Sequence, residues 1–185
     1  MKSPLKIIFL LAFSSIHLFA CAQKTKQQHK SMNESTTNKN IDTATFGAGC
    51  FWCVEAQFQQ LKGVVKVESG FSGGHTEHPT YKQVCTGQTG HAEVTNIYFD
   101  PSVISFDELL AAFWVAHDPT QLNRQGEDVG TQYRSVIFYH DEAQKQKAEL
   151  YKKRLNEEKA YPNDVVTEIA PFGKFYKAED YHQNY

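Results

Sequence analysis

The chain has 185 residues, of which 41% are hydrophobic and 13% aromatic, and its formal net charge at pH 7 is −2. This near-neutral balance, without a basic run, excludes a typical nucleic-acid binder. Four cysteines are too few for a disulfide scaffold in an exported chain. No internal repeat is visible, and the length beyond the N-terminal segment suits one domain.

Residues 1–21 are predicted to be an export signal. The chain opens with a basic stretch, followed by an apolar run over 7–13 that continues less purely to 20. This run is short for a membrane-spanning helix, which needs about 20 mainly apolar residues. It ends in Leu18-Phe19-Ala20-Cys21, which resembles a bacterial lipobox, so Cys21 is the candidate for lipidation. An ordinary secretory signal is the alternative.

Residues 22–41 are polar and contain no aromatic side chain. Such a composition buries too little apolar surface to fold, so this stretch is predicted to be a disordered tether before a folded domain over 42–185. The protein is therefore expected in the bacterial cell envelope, in the periplasm or on a membrane surface. Its contact with the membrane would be only through the lipid anchor.

The most informative stretch is Gly49-Cys50-Phe51-Trp52-Cys53. Residues 44–48 read as a short strand that runs into a small-residue turn, and 54–61 have helical periodicity. Cys50 is therefore predicted to open a helix, where free amide donors and the helix dipole favour a thiolate over a thiol. A sulfur of low pKa beside aromatic rings indicates a nucleophile that attacks a small, apolar group.

Other interpretations of the two cysteines are possible. A single cysteine here would usually be a small core residue, but a pair at this spacing at a helix start favours redox chemistry. A structural zinc needs four ligands, and there is no second C-x-x-C, although His75, His78 and His91 could contribute. A thioredoxin-like motif fits the spacing but not the rest of the chain.

In the rest of the chain, the predicted helices and strands do not alternate regularly. Ser105 and Glu108 form a capping-box pattern that starts a helix, and 141–158 reads as a polar surface helix. Residues 118–132 form a long loop without evident secondary structure, a kind of segment that is often functional. This order predicts an α+β domain with helices on a mixed sheet. The further predicted strands cover 64–71, 92–99, 134–139 and 165–170.

These residues resemble the A-type peptide methionine sulfoxide reductases (MsrA) over nearly all of 43–185. The resemblance implies an α+β two-layer sandwich with a ferredoxin-like core and a nucleophilic cysteine at the start of the first helix. It rests on linked blocks in the same order, at 49–52, 81–87, 89–93, 113–114, 117–119, 123–126, 128, 130–135 and 179–183.

The resemblance implies the reduction of methionine S-sulfoxide, free or in oxidised proteins, to methionine. Cys50 matches the nucleophile, which attacks the sulfoxide sulfur and ends as a sulfenic acid. Glu93 matches the acid that protonates the departing oxygen. Its strand neighbours on the same face include Ile97 and Phe99, and apolar surroundings would raise its pKa.

Further roles follow from the same resemblance. Tyr81 and Tyr133 match phenols that hydrogen-bond the polarised oxygen. Phe51 and Trp52 match the wall that accepts the S-methyl group, and Asp128 matches a residue that positions the substrate. No metal or bound cofactor is implied. The reductant is an external thioredoxin-like thiol, and the family-level expectation is a monomer.

The cysteine pattern departs from that of many relatives, which carry Gly at the position of Cys53 and resolving cysteines in a C-terminal tail. No cysteine follows Cys85 here. Cys53 is the best resolving candidate, because it lies three residues after Cys50 on nearly the same helix face. Cys85 is a weaker candidate, and direct reduction by an external thiol is a third possibility.

Two other function classes stay open from the sequence. One is a general thiol-disulfide oxidoreductase that uses Cys50 and Cys53, and the other is a metal-binding lipoprotein without catalytic activity. Glu93, Tyr81 and Tyr133 favour sulfoxide reduction over thiol-disulfide exchange, because disulfide exchange needs no proton donor and no pair of phenols.

Overall fold

The computed structural model describes residues 40–185. The predicted export signal, the lipidation candidate Cys21 and residues 22–39 of the predicted tether lie outside the described residues. Over 40–185, no helix is long and apolar enough to cross a membrane.

A six-stranded mixed sheet lies at the centre of the fold. The strands of the domain are β1 (Asp42–Ala48), β2 (Val64–Ser72), β3 (Ala92–Phe99), β4 (Arg124–Gln125), β5 (Asp128–Val129), β6 (Ser135–Tyr139), β7 (Glu168–Pro171) and β8 (Phe175–Lys177). The order in the large sheet is β7-β6-β1-β3-β2-β8, and β4 and β5 form a separate two-stranded hairpin. Strands β6 and β7 pair in parallel, and the other neighbours in the large sheet pair antiparallel.

Three of the four helices begin at a residue whose side chain caps the helix. The Ser105 hydroxyl accepts from the Glu108 amide at 3.2 Å, and the Glu108 carboxylate accepts from the Ser105 amide at 2.8 Å, so the predicted capping box is confirmed. The helices are α1 (Phe51–Phe58), α2 (Tyr81–Val84), α3 (Phe106–Ala116) and α4 (Glu142–Glu157), with 3-10 turns at Thr131–Tyr133 and Asp180–His182.

The main core lies between one face of the sheet and the helices. Phe46 of β1 is fully buried, and its ring centroid lies 5.6 Å from that of Phe58 in α1 and 4.9 Å from that of Phe113 in α3. Because side chains alternate along a strand, β3 places Ile97 and Phe99 in the same core. The predicted α+β fold, with helices packed on a mixed sheet, is therefore observed.

The strands differ from the prediction in two segments. The region 118–132 was expected to lack secondary structure, but it contains the hairpin of β4 and β5, joined by a two-residue turn. Gly126 opens that turn at φ 59°, a conformation that favours glycine. The last strand was predicted over 165–170 but is observed at Glu168–Pro171, and the aromatic tail adds the edge strand β8. Strands of two or three residues are too short to show an alternating pattern.

Candidate active site

Cys50 is the residue that precedes α1, as predicted. Its carbonyl oxygen accepts from the amides of Cys53 at 3.1 Å and Val54 at 3.4 Å. Gly49 before it has a φ of 91°, and a Cβ atom there would lie 2.7 Å from the Cβ atom of Gln125. The turn therefore requires glycine, and it brings the hairpin of β4 and β5 against the nucleophile.

The Cys50 thiol does not ionise easily in the free protein. Burial raises its pKa to about 11, the amides of Trp52 and Cys53 lower it by hydrogen bonding, and the Glu93 charge raises it. The expectation of a thiolate at the helix start is wrong, because the loss of hydration outweighs the two amides. Attack by Cys50 must therefore be coupled to the removal of its proton.

Glu93 is the buried acid of the site. Its side chain is 1% exposed, and Oε2 accepts from the Phe51 amide at 3.1 Å. Its Oε1 atom is buried and has no hydrogen-bond partner among the described residues. Burial raises the pKa of Glu93 to about 7, and the Phe51 amide opposes this rise. The predicted direction is confirmed, so near neutral pH a large share of Glu93 carries a proton it can donate.

The charge of Glu93 acts on both predicted phenols. Burial and, secondly, the Glu93 charge raise the pKa of Tyr133 to about 12. The pKa of Tyr81 is raised first by burial and then by a hydrogen bond with the Cys85 thiol, and the Glu93 charge adds to the rise. Since both hydroxyls keep their protons at neutral pH, both can donate to an anionic oxygen.

Asp128 reaches the same site from the hairpin. The Gln125 side chain of β4 joins the hairpin to the backbone of Asp118. Its Nε2 atom donates to the Asp118 backbone carbonyl at 3.1 Å, and its Oε1 atom accepts from the Asp118 backbone amide at 3.2 Å. Asp128 is exposed, yet its charge contributes to the raised pKa of both Glu93 and Tyr133. Asp128 therefore lies at the rim of the site.

Phe51 and Trp52 form an aromatic wall next to the nucleophile. Phe51 is 1% exposed and packs 5.8 Å from Phe71, between ring centroids. Trp52 is half-buried, lies 6.4 Å from the Tyr81 ring and stacks on Tyr185 at 4.0 Å. Tyr185 therefore covers one face of the indole, and Trp52 is the partly exposed member of the wall, with the buried Phe51 ring 6.1 Å away.

The two candidate resolving thiols differ in their surroundings. Cys50, Cys53 and Cys85 are all free thiols. Cys53 is exposed and close enough to Cys50 to affect its pKa. Cys85 is also exposed, but its thiol is hydrogen-bonded to Tyr81.

Two residues that touch this site have no role predicted from the sequence. The Trp52 indole donates to His182 Nδ1 at 3.1 Å, and the Tyr81 amide donates to Glu179 Oε1 at 3.1 Å. Both belong to the block at 179–183, where polar residues interrupt an aromatic tail. Within 40–185, no group of three or more His, Cys, Asp or Glu side chains is placed to hold a metal ion.

Comparisons with known proteins agree with this geometry. The family model described as peptide methionine sulfoxide reductase matches residues 42–185. The enzyme MsrA of Natronomonas pharaonis is 57% identical over 143 residues, covering 77% of this chain and 80% of its own. Methionine sulfoxide reductase A of Corynebacterium diphtheriae is 41% identical with a TM-score of 0.71, over 78% of this chain and 73% of that one. Reduced Mxr1 of Saccharomyces cerevisiae is 35% identical with a TM-score of 0.71, over 77% of this chain and 82% of that one.

The α+β fold and a cysteine that starts a helix beside a buried acid and two phenols define a thiol-dependent oxidoreductase. With the matches above, this chain belongs to the peptide methionine sulfoxide reductase family. The fold expected from the sequence resemblance is thereby confirmed.

Proposed function

We propose that Cys50 and Glu93 together reduce methionine S-sulfoxide to methionine, the reaction of this family. The observation that carries the proposal is the buried Glu93 carboxyl, hydrogen-bonded to the Phe51 amide at 3.1 Å, with its other oxygen unpartnered among the described residues. A carboxylic acid held neutral near pH 7 can protonate an oxygen that leaves. A general thiol-disulfide oxidoreductase would have no use for such an acid.

The substrate methyl group packs against Trp52, and the sulfoxide oxygen points to Glu93, Tyr81 and Tyr133. Glu93 protonates this oxygen as the Cys50 sulfur gives up its proton and bonds to the substrate sulfur. The S–O bond then breaks, and the oxygen leaves as water with the Glu93 proton and the thiol proton. A second water attacks the Cys50 sulfur, the bond between the two sulfurs breaks with its electron pair on methionine, and the proton released restores Glu93. Cys50 is left as a sulfenic acid, oxidised by two electrons, and the sulfoxide is reduced by two.

Protonation of Glu93 also helps to activate the nucleophile. The charged carboxylate raises the pKa of Cys50, and this repulsion disappears when the carboxyl is neutral. The thiolate is therefore easiest to form in the same protonation state that can protonate the oxygen. Glu93 thus assists both the attack by the Cys50 sulfur and the departure of the sulfoxide oxygen.

We assign the second half of the cycle to Cys53. Its thiol condenses with the Cys50 sulfenic acid, forming a disulfide and releasing water. An external thioredoxin-like dithiol then reduces this disulfide by exchange. The exposure of Cys53 supports this order, because the outer sulfur is open to a protein reductant.

The Cys53→Ser variant is expected to form methionine in the first turnover as fast as the unaltered protein. Its steady-state rate with thioredoxin should fall roughly tenfold or more, since the sulfenic acid has no neighbouring thiol. Stopped-flow and steady-state assays measure the two rates, with Cys85→Ser as the matched control. Equal steady-state rates for Cys53→Ser and the unaltered protein would exclude Cys53 as the resolving thiol.

We also propose that the enzyme works in the cell envelope as a monomer, tethered by a lipid on Cys21. The basic start, the apolar run and the sequence at 18–21 support this placement. In bacterial cells, Cys21→Ala is expected to shift the protein from the membrane fraction to the soluble fraction, with loss of the lipid mass from the N-terminal peptide. An unlipidated Cys21 in the unaltered protein would rule out the anchor.

A further inference from the structure

One buried histidine lies among the aromatic rings of the site. His182 belongs to the 3-10 turn Asp180–His182 and is 1% exposed. Its ring centroid lies 5.2 Å from Phe51, 5.5 Å from Trp52 and 4.3 Å from Tyr81. The C-terminal tail thus places a polar ring against both residues of the aromatic wall.

One hydrogen bond of the His182 ring defines its tautomer. Its Nδ1 atom accepts from the Trp52 indole at 3.1 Å, so Nδ1 carries no proton. Burial lowers the pKa of His182, which keeps the ring neutral, and its one proton is therefore on Nε2. Glu179 Oε2 lies 3.9 Å from Nε2, and its negative charge favours the proton at that position.

Glu179 connects the same turn to the helix that carries the first phenol. Its Oε1 atom accepts from the Tyr81 amide at 3.1 Å, at the first residue of α2. One short segment of the tail therefore holds Trp52, through His182, and Tyr81, through Glu179. These two residues come from different helices, and the segment joins them.

We propose that Glu179 and His182 are positioning residues for sulfoxide reduction, because they fix the Trp52 indole and the start of α2 in one arrangement. This inference rests on the proposed function of the site. When the Trp52 indole is held in one orientation, it binds the S-methyl group while the sulfoxide oxygen lies within hydrogen-bonding reach of the phenols. The pair touches neither the substrate nor the reacting atoms, so its loss acts mainly on KM.

The test uses two substitutions that separate the hydrogen bond from the ring. His182→Phe keeps an aromatic ring but removes the acceptor. His182→Asn removes the ring but keeps an oxygen near the position of Nδ1. We expect KM for methionine S-sulfoxide to rise about tenfold in His182→Phe, in line with the loss of one buried hydrogen bond. The kcat should stay within about threefold of the unaltered protein, and His182→Asn should recover most of the KM.

An NMR signal reports the hydrogen bond without any turnover. The chain has two tryptophans, so the ¹⁵N–¹H spectrum has two indole signals, which Trp52→Phe assigns. We expect His182→Phe to shift the Trp52 signal and His182→Asn to leave it nearly in place. The Trp114 indole is buried without a hydrogen-bond partner among the described residues. Its signal should stay unchanged in both variants and so reports intact folding.

The outcomes distinguish a failure of the positioning role from a failure of the proposed sulfoxide reduction. An unaltered protein that forms no methionine would overturn the proposed function and the positioning role with it. An active protein whose KM is unchanged in His182→Phe would overturn the positioning role alone, even if the Trp52 signal moves. A higher KM in His182→Phe, with a shifted Trp52 signal and recovery in His182→Asn, would establish it.

Discussion

Glu93→Gln is expected to lower the single-turnover rate of methionine formation about 10²- to 10⁴-fold, the usual contribution of a positioned general acid. Glutamine has nearly the same shape and can still accept from the Phe51 amide, which now bonds Glu93 at 3.1 Å. What it lacks is an acidic proton for the sulfoxide oxygen. Rapid-quench measurement of methionine from the fully reduced variant gives the rate directly.

Two controls identify the cause of that loss. Glu127→Gln removes a carboxylate from the exposed turn next to Asp128 and should keep the rate. Glu93→Gln itself should still form and reduce a disulfide between Cys50 and Cys53, because disulfide exchange needs no acid at this position. A turnover rate within threefold of the unaltered protein would show that Glu93 is not the proton donor.

The same residue is expected to make stability depend on pH. Folding raises the pKa of Glu93 from 4.5 to about 7, so the folded state binds the proton more tightly than the unfolded chain. Its contribution is fully present below about pH 4.5 and is lost as pH rises through 7. At about 1.4 kcal/mol per pKa unit, the unaltered protein should lose about 3 kcal/mol relative to Glu93→Gln between pH 4 and pH 8.

Urea denaturation of both proteins across this range measures the difference, because all other titrating groups are shared. Glu127→Gln again serves as the control, and its free energy of unfolding should run nearly parallel to that of the unaltered protein. If the curve of Glu93→Gln is parallel as well, Glu93 has an ordinary pKa in the folded protein and the account of the acid fails.

Local signals in the sequence predicted much of this fold. The capping box at Ser105 located the start of α3, and the strand predicted over 92–99 placed Glu93 on the face that carries Ile97 and Phe99. The position of Cys50 at a helix start followed from the small-residue turn before it. Each of these features is decided by neighbours within a few residues, so the sequence alone carries the information.

Other features depend on contacts between distant segments. The pKa of Cys50 was predicted to be low because the helix start is visible in the sequence, whereas the burial that raises it comes from the assembled fold. The roles of Glu179 and His182 depend on hydrogen bonds to Tyr81 and Trp52, about a hundred residues away or more. No local pattern reports such contacts.

The most direct test of the central claim is a single turnover without reductant. Fully reduced protein is mixed with methionine S-sulfoxide, the methionine is quantified, and the cysteine peptides are mapped by mass. We expect about one methionine per protein and a disulfide between Cys50 and Cys53. Methionine with Cys50 left as a sulfenic acid or joined to Cys85 would reject Cys53 as resolver. No methionine from folded, reduced protein, or methionine formed while Cys50 stays unmodified, would contradict the mechanism itself.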